Sequence, residues 1–485
     1  MILEGLKPES VFKYFEEICM IPHGSYNTKA ISDYVVNVAK ENGLEYYQDD
    51  TNNVIIYKDG VGIGADKEPV MLQGHLDMVC EKNFETDAKF DFTKDPLNLA
   101  VMDDYVYAKG TTLGGDDGIG VAYMLAILTD KNIVAPPLEC IFTVDEEVGM
   151  EGAHALDVSK LKGKRLINLD HEDEGIILTS CAGGKKACCN IPVRFVEREG
   201  IKYSIVICGL AGGHSGTEID KYRGNANLIM GRLLHFVSTK IYYDLITVNG
   251  GLQDNAIPRE CNAEILVNPK DVDKLEDIIY EFEATIKNEY RNIEKNLMIY
   301  GENQDEFKTK VLTPKTKERV IFLLMTLPDG VQKMSQDSEN LVQTSLNVGI
   351  IRMLKDSFEI LISIRSSLTS EKQALSDKIK YLTETIGGKY SEEGDYPAWE
   401  YVEESALRET VFDAFQQVYG YNPKLVGIHA GLETGIFYEK IKGLDIVVIG
   451  PQVDDIHTPK EKMNVPSVAR VYNHLLEVLE SLARF

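Results

Sequence analysis

Residues 69–77 read PVMLQGHLD, and this stretch decides how the rest of the chain is expected to fold. Its mostly apolar first half is typical of a buried strand. Side chains two apart on a strand point the same way, so His75 and Asp77 are expected on one face at its end. In open α/β sheets, strand ends border the crevice in which ligands bind. The stretch therefore predicts an α/β fold with polar residues exposed at a sheet edge.

The same arrangement, an apolar strand followed by acids, recurs further along the chain. LECIFTVDEE at 138–147 and KRLINLD at 164–170 are both predicted strands that end in carboxylates. Apolar residues at helical spacing predict helices at 9–20, 28–42 and 118–129. Alternating strands and helices predict a mixed sheet flanked by helices.

This alternation stops and then returns near the C-terminus. Its last elements are expected to be a helix at 406–420, strands at 424–429 and 444–450, and a helix at 466–484. The intervening chain combines strands such as ECNAEILVN with helical patterns near 223–238, 271–290 and 371–387. We therefore predict a catalytic domain in two parts, 1–181 and 396–485, interrupted by an α+β lid domain at 182–395.

Charge and composition indicate which partners the protein is not expected to bind and where in the cell it is expected to be. The 485 residues include 77 acidic and 51 basic ones, giving a net charge of −26, which disfavours nucleic acid and anionic membranes as partners. No uninterrupted apolar run approaches the roughly 18 residues of a membrane span, and the first residues lack a signal-peptide pattern. Eight cysteines in a chain of this length do not form a disulfide framework. A cytoplasmic protein with reduced thiols is expected.

Five segments place histidines or acids directly after predicted strands or within a glycine-rich turn. Together they supply one set of candidate metal ligands: His75, Asp116, Glu147, Asp170 and His457. A mixed nitrogen and oxygen set suits zinc, with cobalt or manganese as possible substitutes. Five ligands that include one shared acid fit a site for two metal ions.

Each member of that set has a plainer interpretation when taken alone. Asp116 or Asp117 could simply cap the helix that follows. Consecutive Glu146 and Glu147 could form a solvated turn, although neighbours on an extended chain point to opposite sides and can take different roles. Asp77 is spaced either to support a ligating imidazole or to contact the catalytic acid-base.

Five motifs carry a resemblance to a known family. GHLDMV at 74–79, GGDDGIGVA at 114–122, DEEVGMEGA at 145–153, GGHSG at 212–216 and HAGLETG at 429–435 resemble those of the dizinc exopeptidases, which include carboxypeptidases, aminoacylases and carnosine-splitting dipeptidases. The resemblance covers essentially the whole chain. Within the family, the segments TTLGGDDGIG, NLDHEDEG, SCAGG and HAGLETG look closest to the aminoacyl-histidine (Xaa-His) dipeptidase branch.

The resemblance implies a specific division of roles in the metal site. His75, Asp116 and Asp170 would hold one zinc ion, and Asp116, Glu147 and His457 the other. Glu146 would be the general base, and Asp77 would orient His75. These residues would perform metal-dependent hydrolysis of dipeptides, with small Xaa-His peptides as the expected substrates.

Further positions in and beside the lid are candidates for substrate contacts. His214, flanked by glycines, is expected from the resemblance to stabilise the oxyanion. Arg365 is suited to pairing with a substrate carboxylate, and Asn255 could hydrogen-bond the same group. Gly431 could offer backbone contacts near the substrate's amino end. Without the resemblance, Asn255 and Arg365 would be interpreted as a turn residue and part of a surface ion pair.

Other functions remain open from the sequence. A related amidohydrolase, such as an N-acyl amino acid deacylase or a tripeptidase, could share the metals and the base. A catalytically silent metal-binding or peptide-binding relative is a candidate from a different class. Relatives also make a homodimer a reasonable expectation.

Overall fold

The computed structural model describes residues 2–87 and 90–484, which divide into two compact units. Unit 1 comprises the chain up to Cys181 together with Tyr401–Gly427 and the part from Leu432 onward. Unit 2 comprises Ala182–Glu400 and the short segment Ile428–Gly431. The chain thus leaves unit 1 to build unit 2 and then returns to it.

Unit 1 begins with two helices and then alternates short strands with helices. Its elements before the interruption are α1 (Glu9–Cys19), α2 (Lys29–Glu41), β1 (Glu45–Gln48), β2 (Val54–Lys58), β3 (Val70–His75), α3 (Phe84–Asp87), β4 (Leu99–Met102), β5 (Tyr105–Ala108), α4 (Gly115–Thr129), β6 (Leu138–Thr143), α5 (Glu151–Ala155), β7 (Arg165–Asn168) and β8 (Ile176–Cys181).

Unit 2 contains most of the longer strands. Its elements are β9 (Gly183–Pro192), β10 (Phe195–Cys208), β11 (Gly213–His214), α6 (Ala226–Ser238), β12 (Tyr243–Gly250), β13 (Ala256–Ile257), β14 (Cys261–Val267), α7 (Val272–Glu289), β15 (Met298–Leu312), α8 (Pro314–Thr326), β16 (Gly330–Met334), β17 (Val342–Met353), β18 (Ser357–Ser366), α9 (Thr369–Thr385) and β19 (Lys389–Tyr396).

The last part of the chain completes unit 1. It forms α10 (Ala406–Tyr419), β20 (Lys424–Ile428), α11 (Glu433–Lys440), β21 (Asp445–Val448), β22 (Val453–Asp454), β23 (Lys462–Asn464) and α12 (Val465–Arg484). Strand β20 extends one residue beyond the boundary of unit 1.

The centre of unit 1 is an eight-stranded mixed sheet in the order β1-β2-β6-β3-β7-β21-β8-β20. Its middle strands β6, β3, β7 and β21 run parallel, whereas β2 pairs antiparallel with β6. Every residue of β3 and β6 is buried, as expected for strands covered on both faces. The mixed sheet predicted from the sequence is confirmed.

Helices surround this sheet and contribute to one apolar core. Amphipathic α1 buries Phe12 and Phe15, and α12 buries Leu475 and Leu479 in the same cluster. Helix α4 is apolar on almost all sides and has nearly every residue buried, which is typical of a helix enclosed by other elements. These contacts fix the strands whose ends carry the candidate ligands.

Unit 2 has a different architecture. Its large sheet is antiparallel and has the order β15-β10-β14-β12-β17-β18-β9-β19, with β16 paired to β17. Helices α6, α7, α8 and α9 pack with this sheet around a second apolar core. This arrangement is the α+β type expected for the insert.

One local feature differs from the sequence-based expectations, and another agrees with them. Helix α8 was not predicted, because its apolar residues run consecutively through 320–325 and lack helical spacing. Pro314 at its first turn was the available signal. In α4, Asp116 and Asp117 have non-helical backbone angles, so the regular helix starts at the predicted Gly118.

Among the described residues, no helix is both long and apolar enough to cross a membrane.

Candidate metal centre

Three neighbouring parallel strands bring acids and a histidine to one edge of the unit 1 sheet. His75 is the last residue of β3, Glu146 and Glu147 follow β6, and Asp170 follows β7. Strand β3 lies between β6 and β7 and runs parallel to both. Because parallel strands present their carboxyl ends at the same edge, side chains distant in sequence meet there.

Asp116 approaches this edge from the glycine-rich turn that leads into the regular part of α4, which begins at Gly118. Gly114 in that turn has a φ of 70°, and a Cβ there would lie 3.0 Å from the sulfur of Met78, so the turn favours glycine. The Asp116 carboxylate lies between two imidazoles, with Oδ1 3.1 Å from Nε2 of His75 and Oδ2 3.0 Å from Nε2 of His457. One oxygen next to each imidazole is the arrangement suited to a carboxylate shared by two cations.

The remaining candidate ligands lie around these two imidazoles. Nε2 of His457 is 3.0 Å from Oε1 of Glu147, and Nε2 of His75 is 3.7 Å from Oδ1 of Asp170. Three groups have potential ligand atoms within 4.8 Å of one another: His75 with Asp116 and Asp170; Asp116 with Glu147 and His457; and His75 with Glu146 and Glu147. The third group makes Glu146 a further possible ligand on geometry alone.

The electrostatics of the cluster favour positive charge. Hydrogen bonding to Asp116, followed by that to Glu147, raises the pKa of His457 to about 11. Burial, followed by the nearby charge of Asp116, raises the pKa of Asp170 to about 6. Acids this close together repel one another when ionised, and cations would relieve that repulsion. The donor set therefore fits divalent metal ions.

Asp77 contacts the site through both its backbone and its side chain. Nδ1 of His75 lies 2.9 Å from the backbone carbonyl oxygen of Asp77, and a proton on Nδ1 would leave Nε2 free to bind a metal. The Asp77 carboxylate accepts hydrogen bonds from the backbone N–H of Glu146 (3.0 Å), the backbone N–H of Glu147 (3.3 Å) and the hydroxyl of Ser25 (2.8 Å). Asp77 thus holds the loop that presents both glutamates.

Glu146 lies beside the candidate ligands in a largely desolvated position. Burial is the main cause that raises its pKa well above the usual value for a glutamic acid, and Asp170 and Glu147 add to the effect. Such a carboxylate has an increased affinity for a proton. Glu146 is therefore chemically suited to accept and return protons.

Three buried acids around the site were not assigned a role from the sequence. Asp117 accepts a hydrogen bond from the backbone N–H of His75 at 3.2 Å. Glu433 accepts hydrogen bonds from Gln73 (2.6 Å) and Thr143 (2.7 Å). Glu461 accepts several from the turn that leads to Asp116. Asp117 and Glu433 lie within motifs quoted above. The hydrogen-bond partners of all three acids are far away in the sequence, however, so no local pattern predicts these contacts.

The four predicted substrate contacts belong to unit 2. His214 in β11 pairs with Ala256 in β13, and Ser215 donates its N–H to the carbonyl oxygen of Asn255 at 2.8 Å. These hydrogen bonds bring the predicted His214 and Asn255 segments together. The Asn255 side chain is exposed.

Arg365 and Gly431 are both next to Tyr396. Arg365 is buried and donates from Nη1 to the hydroxyl of Tyr396 at 2.9 Å, whereas its buried Nε has no hydrogen-bond partner among the residues that the structure describes. A Cβ on Gly431 would lie 2.6 Å from the Tyr396 ring, so a larger residue there would displace the ring. Burial and the charge of Arg365 lower the pKa of His214. Unit 2 therefore places Arg365 within electrostatic range of His214.

Comparison with known proteins shows what this architecture resembles. The model of peptidase family M20/M25/M40 matches residues 71–481. The cytosol non-specific dipeptidase of Escherichia coli is 37% identical over 485 residues, and the alignment covers 99% of each chain.

Solved structures show the same similarity in three dimensions. The aminoacylhistidine dipeptidase of Vibrio alginolyticus superimposes with a TM-score of 0.90 at 35% identity, covering 99% of this chain and 97% of that one. The aminopeptidase PepT of Bacillus cereus has a TM-score of 0.57 at 17% identity, with 99% of both chains covered. At this identity, the second similarity concerns the fold alone.

Proposed function

The chain belongs to peptidase family M20/M25/M40, and from this membership we propose that it is a dipeptidase that uses two metal ions. Membership of the family makes it a metal-dependent hydrolase of the α/β class described above. The observation that best supports the two-metal proposal is the Asp116 carboxylate, which has one oxygen close to His75 and the other close to His457.

We assign the metal ligands as two overlapping sets. His75, Asp116 and Asp170 would hold one ion, and Asp116, Glu147 and His457 would hold the other. Both sets combine imidazole nitrogen with carboxylate oxygen, which suits zinc and also admits cobalt or manganese. When bound, these ions would supply Lewis acidity for hydrolysis of an amide bond.

Glu146 carries the proton transfers in this proposal. It takes a proton from the attacking water and returns it to the leaving amine. Asp77 keeps Glu146 in place through the hydrogen bond to its backbone N–H and keeps His75 oriented through its own carbonyl oxygen. Glu146 is thus the catalytic base, and Asp77 acts through its neighbours.

For substrate contacts, we propose that Arg365 and Asn255 bind the carboxylate of the dipeptide and that His214 stabilises the oxyanion. Within the described part of the chain, the buried Nε of Arg365 is a donor without a partner, and guanidinium groups suit carboxylates because they offer paired donors. Gly431 would contribute backbone contacts near the amino end. Binding both ends of the substrate would favour dipeptides over longer peptides.

The names of the two relatives suggest different breadths of specificity. One is called non-specific and the other aminoacylhistidine dipeptidase, and we propose that Xaa-His dipeptides are among this enzyme's preferred substrates.

The Escherichia coli relative is named a cytosol enzyme, and we propose the same location here. A homodimer remains our proposal for the assembly.

A comparison of substrates tests this function. Purified protein should release histidine from Xaa-His dipeptides at a much higher kcat/KM than it deacylates N-acetyl amino acids or cleaves tripeptides. Faster deacylation would instead identify the related amidohydrolase activity. No turnover of any substrate by a folded, metal-loaded protein would indicate a catalytically silent relative.

A further inference from the structure

Glu461 is a buried acid that binds the backbone of the turn before Asp116. Its side chain is 2% exposed. One carboxylate oxygen accepts hydrogen bonds from the N–H groups of Leu113 (2.7 Å) and Gly114 (3.2 Å). The other accepts from Gly115 (2.8 Å) and, at the longer distance of 3.4 Å, Asp116. A single carboxylate therefore fixes four consecutive backbone donors.

The same residue belongs to the loop that carries His457. The backbone N–H of Glu461 donates to the carbonyl oxygen of Thr458 at 3.1 Å, and Thr458 directly follows His457. Two loops that are more than 300 residues apart in sequence are thus joined through Glu461. Each carries one of the two side chains, Asp116 and His457, that meet at 3.0 Å.

A carboxylate is well suited to this position because it has only acceptor atoms. Glutamine has the same shape, but its amide nitrogen would place hydrogens against the N–H groups of two residues.

We propose that Glu461 is a positioning residue that locks the Asp116 turn to the His457 loop and thereby prepares the ligand set of Asp116, Glu147 and His457 for its metal ion. This inference rests on the proposed function, because it assumes that these three residues bind a metal. Glu461 does not touch the reacting atoms. Its effect on turnover is exerted through the position of two ligands.

Glu139 offers a matched control within unit 1. It is also buried, and its carboxylate accepts hydrogen bonds from the backbone N–H groups of Lys162 (3.0 Å) and Gly163 (2.9 Å). Glu139 lies near the start of β6, whereas the candidate ligands follow the end of that strand. A purely structural role should therefore give Glu461→Gln and Glu139→Gln the same consequences.

The test compares these variants with the wild type in three measurements: metal content after dialysis, zinc affinity by competition with a chromophoric chelator, and thermal unfolding of the metal-free protein. We expect Glu461→Gln to weaken zinc binding by about 10- to 100-fold, which is the range typical for residues that support metal ligands. The loss of affinity should be larger for the ion bound by Asp116, Glu147 and His457. Glu139→Gln should keep the wild-type affinity even where its unfolding temperature falls. Glu461→Asp, which retains the carboxylate acceptors on a shorter side chain, should have an intermediate affinity.

Equal zinc affinity in the wild type and Glu461→Gln would overturn the inference, and so would equal losses in Glu461→Gln and Glu139→Gln. If Glu461→Gln does not fold, the affinity of Glu461→Asp decides, and a wild-type value would contradict us. A wild-type protein that binds fewer than two ions would instead refute the proposed two-metal function.

Discussion

Asp77 in the candidate metal centre contacts several neighbouring residues at once. Asp77 uses its carbonyl oxygen for His75 and its carboxylate for the backbone of Glu146 and Glu147. Removing its side chain would therefore disturb the proposed base, Glu146, and a proposed ligand, Glu147, together. Glu146 offers a cleaner test of chemistry, because its proposed task is the transfer of protons.

Replacement of Glu146 by glutamine should separate catalysis from metal binding. Glutamine has nearly the same size but cannot accept the water's proton, so kcat should fall by at least the roughly 10²- to 10⁴-fold typical of a lost general base. Metal content, measured on the same sample, should remain at the wild-type value. Near-normal turnover with both ions bound would contradict the role of Glu146. Loss of an ion would support its alternative role as a ligand.

Replacement of Arg365 by lysine should weaken substrate binding. Lysine keeps the charge but lacks the planar pair of donors, and loss of a charged hydrogen bond should raise KM for dipeptides by about 10- to 100-fold. Arg352→Lys is a suitable control, because Arg352 is an exposed residue that pairs with Glu359 at 3.7 Å. An unchanged KM in Arg365→Lys would rule out the proposed carboxylate contact.

Residues with local patterns were predictable, and residues with only distant partners were not. His75, Glu146, Glu147 and Asp170 follow apolar strands, so the sequence predicted that their side chains would meet at a sheet edge. Glu461 had no such signal, because its partners lie about 350 positions earlier in the chain. The hydrogen bonds of Glu433 with the buried Gln73 and Thr143 depend on long-range packing in the same way.

At the scale of secondary-structure elements, the packing of α10 against α12 contains a pH-sensitive contact. His474 in α12 is 2% exposed, and its Nε2 lies 2.9 Å from the carbonyl oxygen of Val411 in α10. The ring also packs edge-on against Phe415 at a centroid distance of 5.3 Å. Burial lowers the pKa of His474 from 6.5 to about 4, so the folded protein favours the neutral ring.

This shift predicts a loss of stability in acid. The neutral ring contributes its full stability above pH 6.5, and this contribution declines as the pH falls from 6.5 towards about 4, because the unfolded chain binds the proton first. A shift of this size corresponds to roughly 3 kcal/mol of unfolding free energy. Chemical denaturation at several pH values should show a shallower decline for His474→Gln than for the wild type. Parallel curves would contradict the assignment.

Elements with clear periodicity were predicted more reliably than those with continuous apolar runs. Helices α1 and α2 match the expected segments to within one residue at each end. Helix α8 was missed, because a run of consecutive apolar residues does not distinguish a buried strand from a helix. The sequence predicted a glycine-rich turn at Asp116. It did not predict the non-helical geometry of that turn, because the geometry depends on tertiary contacts such as those of Glu461.

At the scale of the whole molecule, the chain consists of a unit that carries the candidate metal ligands and a unit of different architecture inserted into it. The expected boundaries were 181/182 and 395/396, and the structure divides after Cys181 and after Glu400, with Ile428–Gly431 also assigned to unit 2. No sequence pattern predicted that the segment Ile428–Gly431 belongs to unit 2, because the segment lies directly between two elements of unit 1. The candidate ligands all belong to unit 1, although His457 comes after the insert.

Removal and restoration of zinc tests most directly whether this chain is a metal-dependent dipeptidase. Turnover of a panel of dipeptides, including Xaa-His peptides, should be lost after dialysis against a chelator and should return when zinc is added to about two equivalents per chain. Cobalt or manganese should restore activity to a different extent. Undiminished hydrolysis by protein shown to be free of metal would contradict the account.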